Sequence, residues 1–527
     1  MKKIWVLPFY FLTFLLLSCT LDEEPRDQIP EEKAYNTPKA LYLNTVATLY
    51  YYIGGHNDGQ GLQGTCRGIY DLQTFGSDEA MLPTRSGDWY DGGIWQQMYC
   101  HTWSAGHEIV NNSWLYLYEI INKCNRSIEQ IETHREMLGE NLYNYYKSEV
   151  RALRAIYYWY LLDLFGRVPI VTSTHVSMNE VRQSERKEVF DFTVKELQEA
   201  CVNLYYDRSV EPGDYYGRVT APVVWFALAK LMLNAEVYCG TPHWKECLDY
   251  CNEIKSADYS LEEFYVDNFA VSNEHSHENI WTIPMNKDLF ANEMQYQFRS
   301  LHPRHAAAYG FSGENGTCAT RHTLQVFGYG TDDQDTRFTF NYWDDDVFDL
   351  NGTPVLDRTG NPLVYYPWDV ALDISGTSHV ETAGARMKKY AIDRNAQKDG
   401  KLMDNDIVLF RFADVLLMSA ECKLRLGLDG QEDFDLVRER ASMLPRPLTL
   451  QNLLDERLLE LCWEGWRRQD LIRFGQYKSL YADEFTDEDR LLGHPLPPDE
   501  SDGHTTVFPI PANILNQNPN MTQNPGY

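Results

Sequence analysis

Helical periodicity recurs segment after segment in the first half of this 527-residue chain. Apolar residues return every three or four positions, which predicts amphipathic helices. The predicted helices cover residues 35–52, 108–133, 143–165, 187–204, 220–238 and 242–256. Gly166 ends the third of these helices, and Pro169 prevents its resumption. Adjacent helices with short connections predict stacked helical hairpins.

The second half of the chain is irregular before it becomes helical again. Glycine, asparagine, aspartate, proline and aromatic residues dominate residues 286–400, and a Gly-rich stretch also covers residues 54–106. Helical spacing returns at residues 405–426 and 450–464. Long irregular stretches are uncommon in compact domains and usually functional when present. We therefore predict a helical scaffold that carries functional loops.

The N-terminus has the layout of a lipoprotein signal. Two lysines precede an uncharged apolar run, residues 4–17, which is too short to remain as a membrane span. The run leads into Leu16-Leu17-Ser18-Cys19, which resembles a bacterial lipobox. In this interpretation residues 1–18 are the signal peptide and Cys19 is the lipidated first residue of the mature chain. The alternative is an ordinary signal peptide with an incidental cysteine.

The mature chain is strongly acidic. The full chain has a net charge of -30. Removal of residues 1–18, which contain two lysines and no acidic residue, brings the net charge of the mature chain to -32. Such a chain repels nucleic acid and anionic membrane surfaces, and it disfavours strongly anionic glycans. Residues 19–34 are polar and acidic, so we expect a flexible tether. This acidic stretch resembles the export signal of surface-exposed lipoproteins; the alternative is a solvated linker.

One cysteine cluster has metal-like spacing. Its members are Cys239, His243, Cys247 and Cys251. The segment 240–242 breaks the helix after the first of them, and Thr241 is the predicted N-cap of the next helix. The later cysteines then fall on an apolar face as small hydrophobic residues. We favour this interpretation over structural zinc and predict no metal site.

Two acidic clusters raise the possibility of calcium. They comprise Asp332, Asp333 and Asp335, and then Asp344, Asp345, Asp346 and Asp349. Neither cluster has the glycine and terminal glutamate of a calcium-binding helix–loop–helix motif. Solvated loop charge is the favoured interpretation, and no cofactor is predicted.

Four segments of the chain carry a family resemblance. They are EVRALRA (149–155) with FGRVP (165–169); RFADVLLMSAE (411–421); ERLLEL (456–461) with EGWRRQDLIRFG (464–475); and PIP (509–511) with QNPGY (523–527). In this order, behind a lipobox, they resemble the SusD/RagB family of outer-membrane nutrient-binding lipoproteins. Glu456, Glu460 and Glu464 could be mistaken for catalytic carboxylates. Because charges alternate with apolar positions here, we predict that they pair with arginines and fix helix packing.

The resemblance implies a mainly α fold built on tetratricopeptide-like helical hairpins, with long irregular loop insertions and few short strands. It divides the chain after the tether into an N-terminal helical half and a C-terminal half. The first half is residues 35–285, and the second is residues 286–527, with an irregular insertion at 286–400, helices at 405–475 and a tail at 495–527.

Two irregular regions offer the flat rings and hydrogen-bonding groups that a sugar requires. In the first, the resemblance assigns Asp78 and Arg85 to sugar hydroxyls and Trp89, Tyr90 or Trp95 to stacking. The second supplies further stacking aromatics. They are Tyr296, Phe298, Tyr309, Phe311, Tyr342, Trp343, Tyr365, Tyr366 and Trp368. For each ring the alternative is packing of the loop against the helices.

The implied function is non-catalytic binding of oligosaccharides or polysaccharides at the cell surface. Family members sit as lids on SusC-like TonB-dependent transporters and pass captured oligosaccharides into them, so the implied partner is such a transporter. The implied location is the outer membrane, facing the cell exterior, with membrane contact through the lipid alone. Peptide capture by the same lid is one alternative. A glycoside hydrolase is another, although the sequence has no recognised catalytic motif.

Overall fold

The computed structural model describes residues 34–206, 208, 213, 215–491 and 495–527. Cys19, the lipobox and the tether up to residue 33 lie outside the described residues. Within the described ranges, the helices are too short or too polar to cross a membrane.

The first half of the fold is dominated by helices of 5 to 31 residues. They are α1 (Pro38–Tyr51), α2 (Ile69–Thr74), α3 (Ile94–Tyr99), α4 (Glu108–Thr133), α5 (Arg135–Phe165), α6 (Arg186–Cys201), α7 (Ala221–Leu233), α8 (Ala235–Cys239) and α9 (Trp244–Lys255).

The second half has short helices at both ends and longer helices between them. They are α10 (Tyr296–Ser300), α11 (Pro303–Ala308), α12 (Arg321–Val326), α13 (Phe338–Asn341), α14 (Phe412–Arg425), α15 (Gln431–Arg440), α16 (Leu450–Leu461), α17 (Arg467–Arg473), α18 (Tyr481–Glu484), α19 (Asp487–Leu491) and α20 (Ala512–Gln517).

In the part of the chain that the structure describes, six short strands form three antiparallel pairs. They are β1 (Ala80–Met81), β2 (Asn279–Ile283), β3 (Cys318–Ala319), β4 (Tyr342–Trp343), β5 (Arg386–Met387) and β6 (Ile407–Arg411). The pairs are β1 with β3, β2 with β6, and β4 with β5.

The predicted helical scaffold is confirmed. Helix α4 packs on α5 and α5 on α6, while α9 packs on both α7 and α14. Consecutive helices therefore bury their apolar faces against each other, as in tetratricopeptide-like hairpins. Gly166 follows α5 with a φ of 69°, so glycine ends this helix as predicted. The short strands pin irregular segments to this scaffold.

Three local predictions are wrong in detail. The predicted helix at 405–426 begins as strand β6, because residues 407–411 pair with β2. The predicted helix at 220–238 is divided at Asn234 into α7 and α8. Helix α9 begins at Trp244 with His243 at the N-cap position, not with Thr241.

Buried ion pairs join the two halves of the fold. Arg411 contacts Glu278 at 2.7 Å, Glu460 at 2.5 Å and Glu464 at 2.8 Å, and all four side chains are fully buried. The arginine holds the pKa of Glu460 well below its usual range, together with Arg440. The predicted structural role of these glutamates is confirmed, and they lie inside the scaffold.

The cysteines and acidic clusters complete this account. The ten cysteines of the described chain are free thiols, and Cys247 and Cys251 are buried on the apolar face of α9 as predicted. Among the described residues no group of His, Cys, Asp and Glu side chains is arranged to hold a metal ion. One prediction is wrong: Asp335 is buried rather than solvated, because it accepts hydrogen bonds from Arg337.

Candidate functional site

The loop between β1 and α3 has an unusual backbone. Ser86, Trp89 and Asp91 have φ values of 53°, 61° and 45°, in the left-handed region that non-glycine residues rarely occupy. Such conformations persist only where the surrounding structure holds them, and they concentrate at functional sites. This loop therefore presents its side chains in a fixed arrangement.

Two indole hydrogen bonds hold the loop. Trp89 Nε1 donates to the carbonyl oxygen of Glu314 at 2.8 Å, and Trp95 Nε1 donates to Asp91 Oδ2 at 2.8 Å. The two indole rings meet edge-on with centroids 6.0 Å apart. Gly316 allows the Trp89 ring to lie close to the backbone of residue 316, because a Cβ atom at that position would lie 2.5 Å from the ring. Trp89 thus keeps part of its surface in solvent, while Trp95 supports it from the interior.

Tyr90 is the most exposed aromatic residue of the loop. Its side chain is 55% exposed, whereas Trp89 is partly exposed and Trp95 is buried. Of the three rings predicted to stack in this region, Trp89 and Tyr90 are available at the surface. Trp95 packs against Phe75 at 6.0 Å and acts as support.

The two predicted hydroxyl-binding residues of this region are buried. Asp78 accepts two hydrogen bonds from Arg467, at 2.6 and 2.8 Å, and this arginine holds the pKa of Asp78 well below its usual range. Arg85 donates to the carbonyl oxygens of Val380 and Ala383 at 2.7 and 2.9 Å. Burial lowers the pKa of Arg85 to about 9. Both side chains fix the loop from inside and have no free surface for a ligand in this structure.

A second aromatic group lies on α11 and β4. The rings of Tyr309 and Trp343 are partly exposed, with centroids 6.2 Å apart. His305 packs between them, edge-on to Trp343 at 4.9 Å, and burial lowers its pKa to about 3, which keeps it neutral. Lys388 lies 4.3 Å from the centroid of Trp343. The tryptophan and tyrosine therefore form a surface supported by buried and cationic neighbours.

A third aromatic group lies on the turn around residue 367. Tyr366 and Trp368 are 41% and 42% exposed. The ring of Trp368 approaches Tyr329 at 6.0 Å, and Arg321 Nε donates to the Trp368 carbonyl oxygen at 3.1 Å. Tyr366 packs on His379 at 4.1 Å.

Most of the remaining predicted aromatics belong to the interior. Tyr296 is buried and packs on Tyr70 at 4.8 Å, while Tyr342 is fully buried and stacks on Phe338 at 4.9 Å. Phe298 is 9% exposed beneath Lys401. Tyr365 is also buried, and Phe311 is partly exposed. The buried rings pack the loops against the helices, which is the alternative raised for them from the sequence.

The segment 372–383 forms hydrogen bonds with loops that carry the separate aromatic groups. Ser86 N donates to Ser375 Oγ at 2.9 Å, so this segment runs beside the Trp89 loop. Tyr366 N donates to the Thr382 carbonyl oxygen at 3.0 Å, which places the third group against the same segment. No aromatic run marks residues 372–383 in the sequence, so sequence reasoning missed their role.

A buried polar chain connects the second group to the same segment. Tyr365 Oη contacts His305 Nδ1 at 3.0 Å and accepts from the backbone N–H of His302 at 3.2 Å. His302 contacts Glu381 at 3.3 Å, and Asn315 Nδ2 donates to the Glu381 carbonyl oxygen at 2.9 Å. The exposed rings of the adjoining loops are here called the aromatic surface. Its members are Trp89, Tyr90, Tyr309, Trp343, Tyr366 and Trp368.

Two acidic residues neighbour these rings: Glu314, whose carbonyl oxygen accepts from Trp89, and Asp344, which follows Trp343 in the chain. Burial raises the pKa of Glu314, and burial together with Asp345 raises the pKa of Asp344. A separate cavity of about 230 Å³, lined by Tyr50, Arg218 and Pro284 among others, contains none of these rings. Flat aromatic rings with polar neighbours can stack on apolar faces and accept hydrogen bonds from hydroxyl groups.

Two family models match the chain. One, described as the SusD family, matches residues 269–527, and the other, described as starch-binding and associating with the outer membrane, matches residues 70–232. Together they span most of the chain, including all loops of the aromatic surface.

Individual relatives agree with these matches. The chain is 27% identical to the starch-binding protein SusD of Bacteroides thetaiotaomicron, over 89% of this chain and 87% of the relative. It is 26% identical to the SusD-like protein P25 of Formosa agariphila, over 89% of each.

Solved structures share the fold. Surface glycan-binding protein A of Bacteroides thetaiotaomicron, in complex with laminarihexaose, superposes with a TM-score of 0.71 at 19% identity, covering 93% of this chain and 99% of that one. A laminarin-binding SusD-like protein gives a TM-score of 0.70 at 20% identity, covering 93% and 100%. From its sequence matches and its fold, the chain is a member of the SusD family.

Proposed function

We propose that this protein binds oligosaccharides or polysaccharides at the cell surface without cleaving them, and delivers them to a SusC-like TonB-dependent transporter. The observation that carries the proposal is the aromatic surface, whose rings are exposed or partly exposed on loops that hydrogen bonds to distant segments hold in place. The relatives named for starch and laminarin binding support the ligand class. Delivery to a transporter is inferred from family membership.

The chemistry of a sugar ring fits this surface. Its C–H faces are apolar and its hydroxyls surround the rim, so it stacks on an aromatic face while neighbouring polar groups take the hydroxyls. Each stacked ring contributes about 0.5–1.5 kcal/mol beyond its burial. A few such contacts give dissociation constants between about micromolar and millimolar. Loose binding suits a protein that must release its ligand to a partner.

The regularly spaced glutamates favour binding over hydrolysis. A glycoside hydrolase needs two carboxyl groups about 5–10 Å apart around the scissile bond. Glu456, Glu460 and Glu464 are fully or almost fully buried in ion pairs with arginines or Lys389, so they cannot reach a glycan. Peptide capture by the same surface is the second candidate, which we base on the resemblance to family members that bind peptides.

We also propose that Cys19 is acylated and anchors the protein to the outer membrane, facing the cell exterior. The lipobox and the acidic residues after it support this proposal. The description of one matching family model, which mentions association with the outer membrane, agrees with it.

A glycan panel tests the proposed function. The purified protein is titrated calorimetrically with soluble starch, laminarin, other neutral polysaccharides and a set of peptides, and the solutions are then assayed for new reducing ends. We expect heat with at least one neutral glycan and no new reducing ends. Heat with peptides alone would replace the glycan by a peptide, and reducing ends formed at enzyme-like rates would overturn the non-catalytic assignment.

A further inference from the structure

A second set of aromatic rings lies on the helical half of the protein. Tyr206, which follows α6, and Trp225 on α7 have ring centroids 5.4 Å apart and planes tilted by 56°. Tyr206 is 68% exposed. The two rings border a groove of about 470 Å³ that also includes Glu253, Ser256 and Asp258. This volume lies within the range of about 300–1,000 Å³ that is typical of ligand sites.

Trp225 is anomalous within its helix. Every other residue of α7 is buried, including the neighbouring Val224 and Phe226, whereas Trp225 is partly exposed. The indole packs partly against the hydrophobic core, and its ring meets the exposed ring of Tyr206. Packing of α7 in the core therefore leaves part of this indole at the surface, beside a second exposed ring.

The rim of the groove supplies hydrogen-bond acceptors. Glu253 and Asp258 are exposed at the C-terminal end of α9. The lysines of this helix pair elsewhere, Lys245 with Asp249 at 2.7 Å and Lys255 with Asp433 at 2.5 Å. A carboxylate accepts hydrogen bonds from hydroxyls on both oxygens, and such charge-assisted bonds are the stronger kind.

Arg208 also borders the groove. Its guanidinium donates to the carbonyl oxygen of Ser276 at 2.7 Å and lies 5.3 Å from the ring centroid of Tyr259. These contacts direct it toward the wall of the groove.

We propose that this groove is a second carbohydrate site, which holds a neutral sugar residue against the exposed sides of the Tyr206 and Trp225 rings with its hydroxyls on Glu253 and Asp258. The proposal rests on the proposed function, because it assigns the same class of ligand to a second place. The carboxylates exclude uronates and sulfated sugars through like-charge repulsion. The site belongs to α7 and α9 of the helical half, whereas the aromatic surface belongs to the loops.

Two sites on one protein favour long chains over short ones. Once one site holds a polysaccharide, binding at the second becomes intramolecular, and the overall affinity rises without any new contact. A hexasaccharide too short to span both sites gains nothing from this effect. The groove therefore makes the protein selective for polymers.

Affinity gel electrophoresis tests the proposal. Gels containing starch, laminarin, pullulan or mannan are run with the wild type, with W89A/W343A, and with W89A/W343A carrying in addition Y206A or W225A. We expect the double variant to keep a weak retardation in the gel that retards the wild type, and each triple variant to lose it. In the otherwise wild-type protein, Y206A should weaken polysaccharide binding by about two- to tenfold, the worth of one stacked ring.

A matched control removes an exposed ring elsewhere. Phe264 is 60% exposed, so W89A/W343A/F264A should migrate like the double variant. Circular dichroism melting establishes whether each variant is folded. If the W225A variant is not folded, the Y206A variant alone provides the test. If W89A/W343A is still retarded and adding Y206A or W225A leaves that retardation unchanged, the second site is overturned. It is also overturned if W89A/W343A shows no retardation in a gel that retards the wild type. If no polysaccharide retards the wild type, the proposed function falls and the second site with it.

Discussion

Trp89 combines a strained backbone with a partly exposed ring. Its positive φ, its indole hydrogen bond to Glu314 and its close contact with Gly316 all fix the ring in one orientation. A preorganised ring loses little entropy when a ligand stacks on it. This makes Trp89 the member of the aromatic surface whose removal is most informative.

Trp89→Ala should weaken the affinity for the glycan by about two- to tenfold, because one stacked ring contributes about 0.5–1.5 kcal/mol. Calorimetry with the glycan that binds the wild type measures the change. Phe264→Ala, an exposed ring outside both sites, is the control and should bind as the wild type does. Equal affinities of Trp89→Ala, Trp343→Ala, Trp368→Ala and the wild type for every ligand tested would contradict the placement of the site.

Glu79, the residue before strand β1, has a fully buried carboxyl group. Its Oε1 accepts a hydrogen bond from the backbone N–H of Trp463, and its Oε2 has no hydrogen-bond partner among the described residues. Burial raises the pKa of Glu79 to about 8, although Lys389 and Arg467 nearby oppose the rise and Asp78 adds to it. The group is thus protonated in the folded protein at neutral pH.

The sign of this shift sets a pH dependence. Because the folded state binds this proton more tightly than the unfolded state, Glu79 contributes stability that is fully present below about pH 4.5 and is lost as the pH rises toward 8. Glu79→Gln should remove this pH-dependent stabilisation, because glutamine does not titrate. From pH 5 to pH 8 the wild type should therefore lose unfolding free energy relative to the variant. Urea denaturation at several pH values measures it, and a constant difference would contradict the prediction.

At the scale of elements, the buried ion pairs join strand β6, helix α16 and the irregular insertion. Arg411 lies at the end of β6 and Glu460 near the end of α16, and Arg337 beside α13 contacts the same glutamate at 2.8 Å. Charges of this kind stabilise only as a complete set, because each alone would be buried without compensation.

Arg411→Met should therefore lower the free energy of unfolding by about 3–5 kcal/mol, since it leaves three buried glutamates short of a cation. Urea denaturation measures the loss. The control is Lys187→Ala, which removes an exposed ion pair with Asp191 and should change stability little. A stable Arg411→Met protein would show that the network is dispensable for the scaffold.

At the scale of the whole molecule, the proposed lipid on Cys19 makes the protein membrane-bound. Cys19→Ala removes the acylated side chain, so the variant should move from the membrane fraction to the soluble fraction when cells are separated. The experiment is done in cells that lack the partner transporter, because docking alone could retain the variant. Retention as firm as that of the wild type would contradict lipid anchoring.

The net charge of -30 predicts which glycans the molecule accepts. A neutral glycan should bind with an affinity that changes little between low and high salt, because no net charge opposes it. A sulfated glycan of similar length should bind poorly at low salt and less poorly as salt screens the repulsion. Calorimetry at two ionic strengths compares them, and preferential binding of the sulfated glycan at low salt would contradict the prediction.

The sequence by itself determined the scaffold. Helical periodicity gives α4 its full extent, and the glycine after α5 ends that helix, because these patterns depend on local geometry alone. The structural role of Glu456 and Glu460 also follows from the sequence, since charges beside apolar positions on one helix face must be paired when that face is buried.

Only the tertiary structure decided which aromatic rings reach solvent. Trp89 and Trp95 lie six positions apart in the sequence, yet the first ring is partly exposed and the second is buried, because a contact with Glu314, more than 200 positions away, orients the first. Long-range pairing with β2 likewise made residues 407–411 a strand, and Arg337 drew Asp335 inside. Hydrophobic periodicity describes one helix or strand at a time. The exposure of a side chain depends on every element that packs against it.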